Sequence, residues 1–110
     1  MKYSVHFTES VLNDIERAAR YIKYTLHNPS ASDNLLDDIS AEIRKLEDNP
    51  FICAVVDDPV LNSIGIRFRV IGNYLLFYIV SDQTKTISIL RFLYGKMNWQ
   101  SILGQDSVID

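Results

Sequence analysis

Apolar residues recur along this chain at two spacings, and the change from one to the other marks its elements. Tyr3, Val5 and Phe7 alternate with Lys2, Ser4 and His6, which is the period of a half-buried strand with His6 on the polar side. Thr8 stands where a helix cap is expected, and Glu9 falls in the first turn, where a carboxylate suits the helix dipole. Val11, Leu12, Ile15, Ala18, Ala19, Ile22 and Leu26 then repeat at three- and four-residue intervals, predicting an amphipathic helix of about five turns. Pro29 disfavours helical geometry at Asn28 and ends that helix, with His27 placed as a partner for its C-terminal dipole. Ser30, followed by Asp33, is expected to open a second helix as a capping box. Its apolar stripe is Ala31, Leu35, Leu36, Ile39, Ile43 and Leu46, its solvated face holds Asp37, Asp38, Glu42 and Lys45, and it stops before Pro50. So short a connection predicts an antiparallel helix hairpin.

From residue 51 the period changes. "FICAVV" is compatible with a strand, and Asp57-Asp58-Pro59 marks a turn. "GIRFRVI" alternates Ile66, Phe68 and Val70 against Arg67 and Arg69, and Gly72-Asn73 fits a type II′ hairpin turn with glycine first. "YLLFYIV" is nearly continuous apolar, as expected of a central strand covered on both faces, and "TISILRFL" is the last strand. "YGKMNWQSIL" leaves the sheet, with a short terminal helix as its expected form. The order β-α-α-β-β-β predicts an α+β fold: an antiparallel sheet covered on one face by a two-helix hairpin. Residues 1–103 are expected to form one domain, with 104–110 a frayed tail.

The 110 residues suffice for one core without staples, and 47% apolar with 23% charged residues is ordinary globular composition. The single cysteine, Cys53, excludes an internal disulfide and fits a reducing, cytoplasmic location as a small buried hydrophobe. No apolar run approaches the ~20 residues of a membrane helix, and no basic-then-apolar leader opens the chain, so neither membrane nor secretory routing is expected. Adjacent Asp57 and Asp58 have no nearby histidine or cysteine to complete a metal site, and no metal or cofactor is expected.

Charge changes this picture. The net charge is −3, yet residues 1–64 carry a balance of −5 and residues 65–100 one of +4. If Ile66, Phe68 and Val70 pack on the helices, Arg67 and Arg69 project from the uncovered face. Arg91 is in phase with Ile87, Ile89 and Leu93, whereas Tyr94 is in phase with Leu90 and Phe92, so a regular strand sends the two to opposite faces. A bulge or strand end near Leu93, favoured by Gly95, would reset them. Such cations and aromatics suit phosphate and stacked bases, or equally a solvated face or an acidic protein partner.

The second helix "SASDNLLDDISAEIRKLEDNPF" and the strand motifs "GIRFRVIGNYLLFYIV" and "ILRFLYGKMNW" resemble the RelE/ParE superfamily of bacterial type II toxins, over about residues 1–103. The resemblance implies a cytoplasmic toxin held by a cognate antitoxin, which wraps the fold by an added strand or helix. The expected antitoxin covers part of the helix hairpin and brings acidic residues toward Arg67 and Arg69. The resemblance also implies one of two targets. RelE-like members cut mRNA on the ribosome with the RNA's own 2′-hydroxyl, using an acid, a base and cations on the pentavalent phosphate. ParE-like members poison DNA gyrase.

For the first activity, the resemblance implies that Tyr94 serves in proton transfer, with Arg91 and Arg69 as catalytic cations. Arg67 and Lys96 would then bind RNA phosphate, and Asp58 would be an acid/base residue. The positions where cleaving members carry an arginine and a histidine hold Leu75 and Leu93, and the loop before the meander lacks their lysines. An unactivated phenol, with a pKa of about 10, is a poor base at neutral pH. The clustering on strands favours ribosome-dependent mRNA cleavage. The alternatives are a gyrase inhibitor without nuclease activity and a non-catalytic binding module or inactivated toxin.

Overall fold

The computed structural model describes residues 2–106, in the order β1 (Ser4–Phe7), α1 (Glu9–Arg20), a π-helical segment (Tyr21–Thr25), α2 (Pro29–Asp48), α3 (Pro59–Ile64), β2 (Arg67–Ile71), β3 (Tyr74–Ser81), β4 (Thr86–Tyr94) and α4 (Trp99–Asp106). Of the tail expected over 104–110, residues 104–106 continue α4 and the rest lies outside the described residues. The four strands form one sheet in the order β1-β4-β3-β2. β2, β3 and β4 form the expected antiparallel meander, while β1 lies parallel to β4, pairing Ser4 with Thr86 and Phe7 with Ile89. Gly72, at φ 60°, supplies the positive angle that the first position of the β2–β3 turn requires.

Thr8 caps α1 as expected. Its hydroxyl oxygen accepts from the Val11 N–H at 3.2 Å, and the hydroxyl lies 3.0 Å from the carbonyls of Ile89 and Leu90. One residue thus starts the helix and pins it to the last strand. The end of α1 differs from expectation. The helix widens into the π-helical segment, the Leu26 N–H reaching back to the Tyr21 carbonyl at 3.1 Å. The Asn28 N–H then bonds to the Ile22 carbonyl at 3.0 Å around His27, whose φ is 53°. His27 is therefore a left-handed residue that closes the helix through a bond one residue wider than that of a Schellman cap, and not simply a dipole partner. We predict that His27→Gly stabilises the protein by about 0.5–1 kcal/mol, since glycine removes the cost of a Cβ at positive φ; thermal unfolding would show the gain.

The second helix is capped two residues before the expected Ser30. The Asn28 side chain accepts from the Ala31 N–H at 3.1 Å, and Pro29 takes the first helical position, where its fixed φ helps and its missing N–H costs nothing. The buried Ser32 donates to the Ala19 carbonyl at 2.9 Å and ties the hairpin together. "FICAVV" forms no strand. It contributes one bridge, Val55 to Arg67, before Asp58 turns the chain into α3. The expected turn at Asp57-Asp58-Pro59 is that helix's start: the Asp58 carboxylate accepts from the Val60 and Leu61 N–H groups, each at 3.1 Å. Gly65, at φ 88°, closes α3 with a Schellman cap, Ile66 N–H bonding to the Leu61 carbonyl and Gly65 N–H to the Asn62 carbonyl.

Both faces of the sheet carry a core. On the hairpin side Val11, Leu35, Ile39 and Leu46 meet Leu76, Tyr78, Ile87 and Ile89. On the other side Val56, Leu61, Ile66, Phe77, Leu93 and Leu103 form a second cluster, with Phe68 and Trp99 packed against it. β3 is the strand buried on both faces, as its continuous apolar run predicts: Leu76, Phe77 and Tyr78 are fully covered. The second cluster inverts the expected phase of β2. Ile66 and Phe68 face α3 and α4, Val70 is exposed, and the two arginines turn toward α2. Among the described residues, no helix is long and apolar enough to cross a membrane.

Candidate functional site

The β3–β4 register slips between Phe77 and Tyr78, which pair with Arg91 and Ile89, so Leu90 is an extra residue on β4. This bulge resets the alternation. Ile87 and Ile89 point into the hairpin-side core before it, and Phe92 does so after it, while Leu93 joins the opposite cluster. The reset lies three residues earlier than the expected one near Leu93. It brings Arg91 and Tyr94, which a regular strand separates, to the wall of a single hollow of about 640 Å3. α1 and the π-helical segment supply Arg17, Tyr21, Ile22 and Leu26 to that hollow, and Tyr74 and Met97 close its other side. Tyr74 stacks on Phe92 with centroids 4.8 Å apart and meets the Tyr94 ring edge-on at 5.8 Å. Burial pushes the Tyr74 phenol above its ordinary value, and the neighbouring Tyr21 and Tyr94 push the same way.

Arg91 is held by a residue that the sequence pattern concealed. Asp14, on α1, is buried, and its carboxylate accepts from Arg91 Nε at 2.7 Å, from Arg91 Nη2 at 2.9 Å and from the Phe92 N–H at 3.0 Å. The two-pronged guanidinium contact is the strong form of this pair, and the backbone bond fixes the carboxylate at the bulge. The signal was present in the sequence: Asp14 lies three residues after Val11 and four before Ala18, inside the apolar stripe of α1. A carboxylate there requires a cationic partner from elsewhere in the fold.

The other predicted cations gather at a second place. Arg69 Nε donates to Glu42 at 2.7 Å, and its Nη1 lies 3.5 Å from Cys53 Sγ. Arg67 donates to the Cys53 carbonyl and sits over the Phe51 ring at 5.1 Å. Neither projects from an uncovered face as expected, and Glu42 belongs to this contact, not to a merely solvated helix face. Burial tends to raise the Glu42 carboxyl, but Lys45 and Arg69 outweigh it and hold the group below its ordinary value. The free Cys53 is buried, as its setting in the sequence predicts. Asp58 caps α3, whose Leu61 packs in the cluster on the far face. Lys96 is exposed. The six predicted residues therefore fall in three places: Arg91 and Tyr94 with the nearby Lys96, the Arg67–Arg69 pair, and Asp58 alone. Among the described residues, no group of three or more histidine, cysteine, aspartate or glutamate side chains is placed to hold a metal ion.

Residues 5–99 match the family described as ParE toxin of type II toxin-antitoxin system, parDE. No curated protein sequence matches. Among solved structures, the fold resembles a chain of the chromosomal ParDE toxin-antitoxin system of P. aeruginosa, with a TM-score of 0.67 and 18% identity over 84% of this chain and 96% of that one. It also resembles a chain of the RelBE2 toxin-antitoxin complex of Mycobacterium tuberculosis, with a TM-score of 0.59 and 19% identity over 86% and 99% of the two chains. At such identities the structures speak for the fold.

Proposed function

The chain belongs to the ParE toxin family of type II toxin-antitoxin systems, and from that premise we propose that it arrests growth in the cytoplasm by binding DNA gyrase, without cutting RNA. A cognate antitoxin is its neutralising partner. The observation that carries this reading is the bidentate Arg91–Asp14 pair. RNA cleavage needs cations preorganised toward the phosphate whose charge grows in the transition state. Here the guanidinium beside Tyr94 is directed into the protein, onto a buried carboxylate. Arg69 is directed likewise onto Glu42, and the acid of the loop, Asp58, is engaged by two backbone N–H groups. Leu75 and Leu93, in place of the arginine and histidine of cleaving members, support the same conclusion.

The test is a purified translation reaction with mRNA ends mapped by primer extension, run beside a gyrase supercoiling assay. Intact mRNA and blocked supercoiling are expected. Tyr94→Phe is expected to keep toxicity within about twofold, whereas loss of a general acid or base lowers a rate by about 10²–10⁴. Ribosome-dependent cuts that disappear in Tyr94→Phe would replace this reading with the nuclease one.

A further inference from the structure

The hollow beside Tyr94 is apolar within and cationic at its rim. Tyr21, Leu26, Tyr94 and Met97 line it yet remain 52%, 55%, 39% and 45% exposed. Single exposed apolar residues need no explanation, but four around one concavity mark an interaction surface. Its volume, about 640 Å3, lies within the ~300–1,000 Å3 of ordinary binding pockets. The ionisable groups are one-sided. Asp14, at the floor, is matched by Arg91. Arg17, at the lip, has a side chain 76% exposed and lies 4.0 Å from the Asp14 oxygen that Arg91 Nη2 already contacts. Arg20 follows on the same helix, 3.9 Å from Glu16, but both belong to a neighbouring hollow; Lys96 is exposed in the sequence between Tyr94 and Met97. A cationic rim on a chain of net charge −3 selects an acidic partner, and the apolar interior selects one with hydrophobic anchors.

We infer that this hollow receives an acidic amphipathic segment of the toxin's target protein. Its apolar side chains seat among Tyr21, Leu26, Tyr94 and Met97, and its carboxylates face Arg17 and Lys96. The inference rests on the gyrase-binding reading above and assigns the surface that does the binding. Exposed rim charges around a small preformed concavity accelerate encounter and weaken with salt, which suits a target that is met transiently. A resident inhibitor needs an interface of about 1,200–2,000 Å2 and must extend well beyond this hollow.

Two double variants test it: Leu26→Ser with Met97→Ser, and Arg17→Glu with Lys96→Glu. All four side chains are exposed, so folding is expected to survive, and circular dichroism would verify it. Gyrase inhibition by the purified toxin is measured at low and high salt, and antitoxin affinity by calorimetry. Each variant is expected to need about tenfold more toxin for half-inhibition, equivalent to about 1.4 kcal/mol of binding. The charge variant should approach wild type at high salt, and antitoxin affinity should stay within about threefold. Equal inhibition by wild type and both variants would overturn the inference while leaving gyrase as the target. A matching fall in antitoxin affinity would also overturn it, by giving the hollow to the antitoxin. If the wild-type protein does not inhibit gyrase, the target reading falls first, and this inference falls with it.

Discussion

Asp14→Ala is expected to destabilise the protein by about 3–5 kcal/mol, which is the usual cost of removing one partner from a buried ion pair. The substitution leaves the Arg91 guanidinium without the carboxylate that accepts both its Nε and Nη2, and leaves the Phe92 N–H without its acceptor beside the bulge. A guanidinium stripped of its bidentate carboxylate and an unsatisfied backbone donor would then lie together under α1. Against a typical total stability of about 5–15 kcal/mol, this brings the variant close to unfolding at room temperature. Urea denaturation should show a large fall in midpoint with little change in slope. Asp14→Asn keeps an acceptor for the Phe92 N–H but no negative charge, and should fall between the two. A double variant, Asp14→Leu with Arg91→Leu, should recover much of the loss, because replacing both members of a buried pair with apolar groups is often neutral or better. A loss below about 1 kcal/mol in Asp14→Ala would mean that the pair behaves like an exposed surface bridge.

Phe77→Ala is expected to cost about 3–5 kcal/mol as well, through a different mechanism. Phe77 is fully buried on the face of β3 turned away from the helix hairpin, and its ring lies 5.3 Å from that of Trp99 at the start of α4. Truncation opens a cavity at the centre of the smaller cluster, which has few residues with which to fill it. Trp99 is the sole tryptophan, so its fluorescence reports this site alone. The emission of Phe77→Ala should shift to the red at urea concentrations where far-ultraviolet dichroism, dominated by α1 and α2, is still native. Coincident loss of both signals would show that the two clusters unfold as one cooperative unit.

Much of this fold was legible in the sequence because its signals are local. The alternation of β1, the Thr8 cap, the apolar run of β3 and Gly72-Asn73 each describe geometry within a few residues. The failures have equally physical causes. Asp58-Pro59 predicts a turn, but the same pair also opens a helix, aspartate as cap and proline as first residue. The phase of β2 is not legible, because alternation tells its two sides apart without saying which one meets the hairpin. Ile66 and Phe68 found a second core, and the arginines found Glu42 and Cys53. Leu26 belonged to the apolar stripe of a regular helix, yet the π-helical segment shifts the phase and leaves it exposed. Arg91 and Tyr94 stand out in the sequence, but what holds Arg91 does not. Asp14 lies 77 positions away, and only the sheet order and the bulge bring the two together.

The parallel pairing of β1 with β4 sets a schedule for the molecule's birth. The strand made first hydrogen-bonds to the strand made last, and β4 lies between β1 and β3, so β1 cannot join the sheet until residues 86–94 exist. At ordinary elongation rates of about 5–20 residues per second, β1 waits roughly 4–16 s for its neighbour. The Thr8 tether to Ile89 and Leu90, and the Asp14 lock on Arg91, wait with it. A growing chain therefore cannot display the finished hollow, because its walls come from α1 and from β4 with the residues after it. The hollow exists only once β4 and the segment after it have been made.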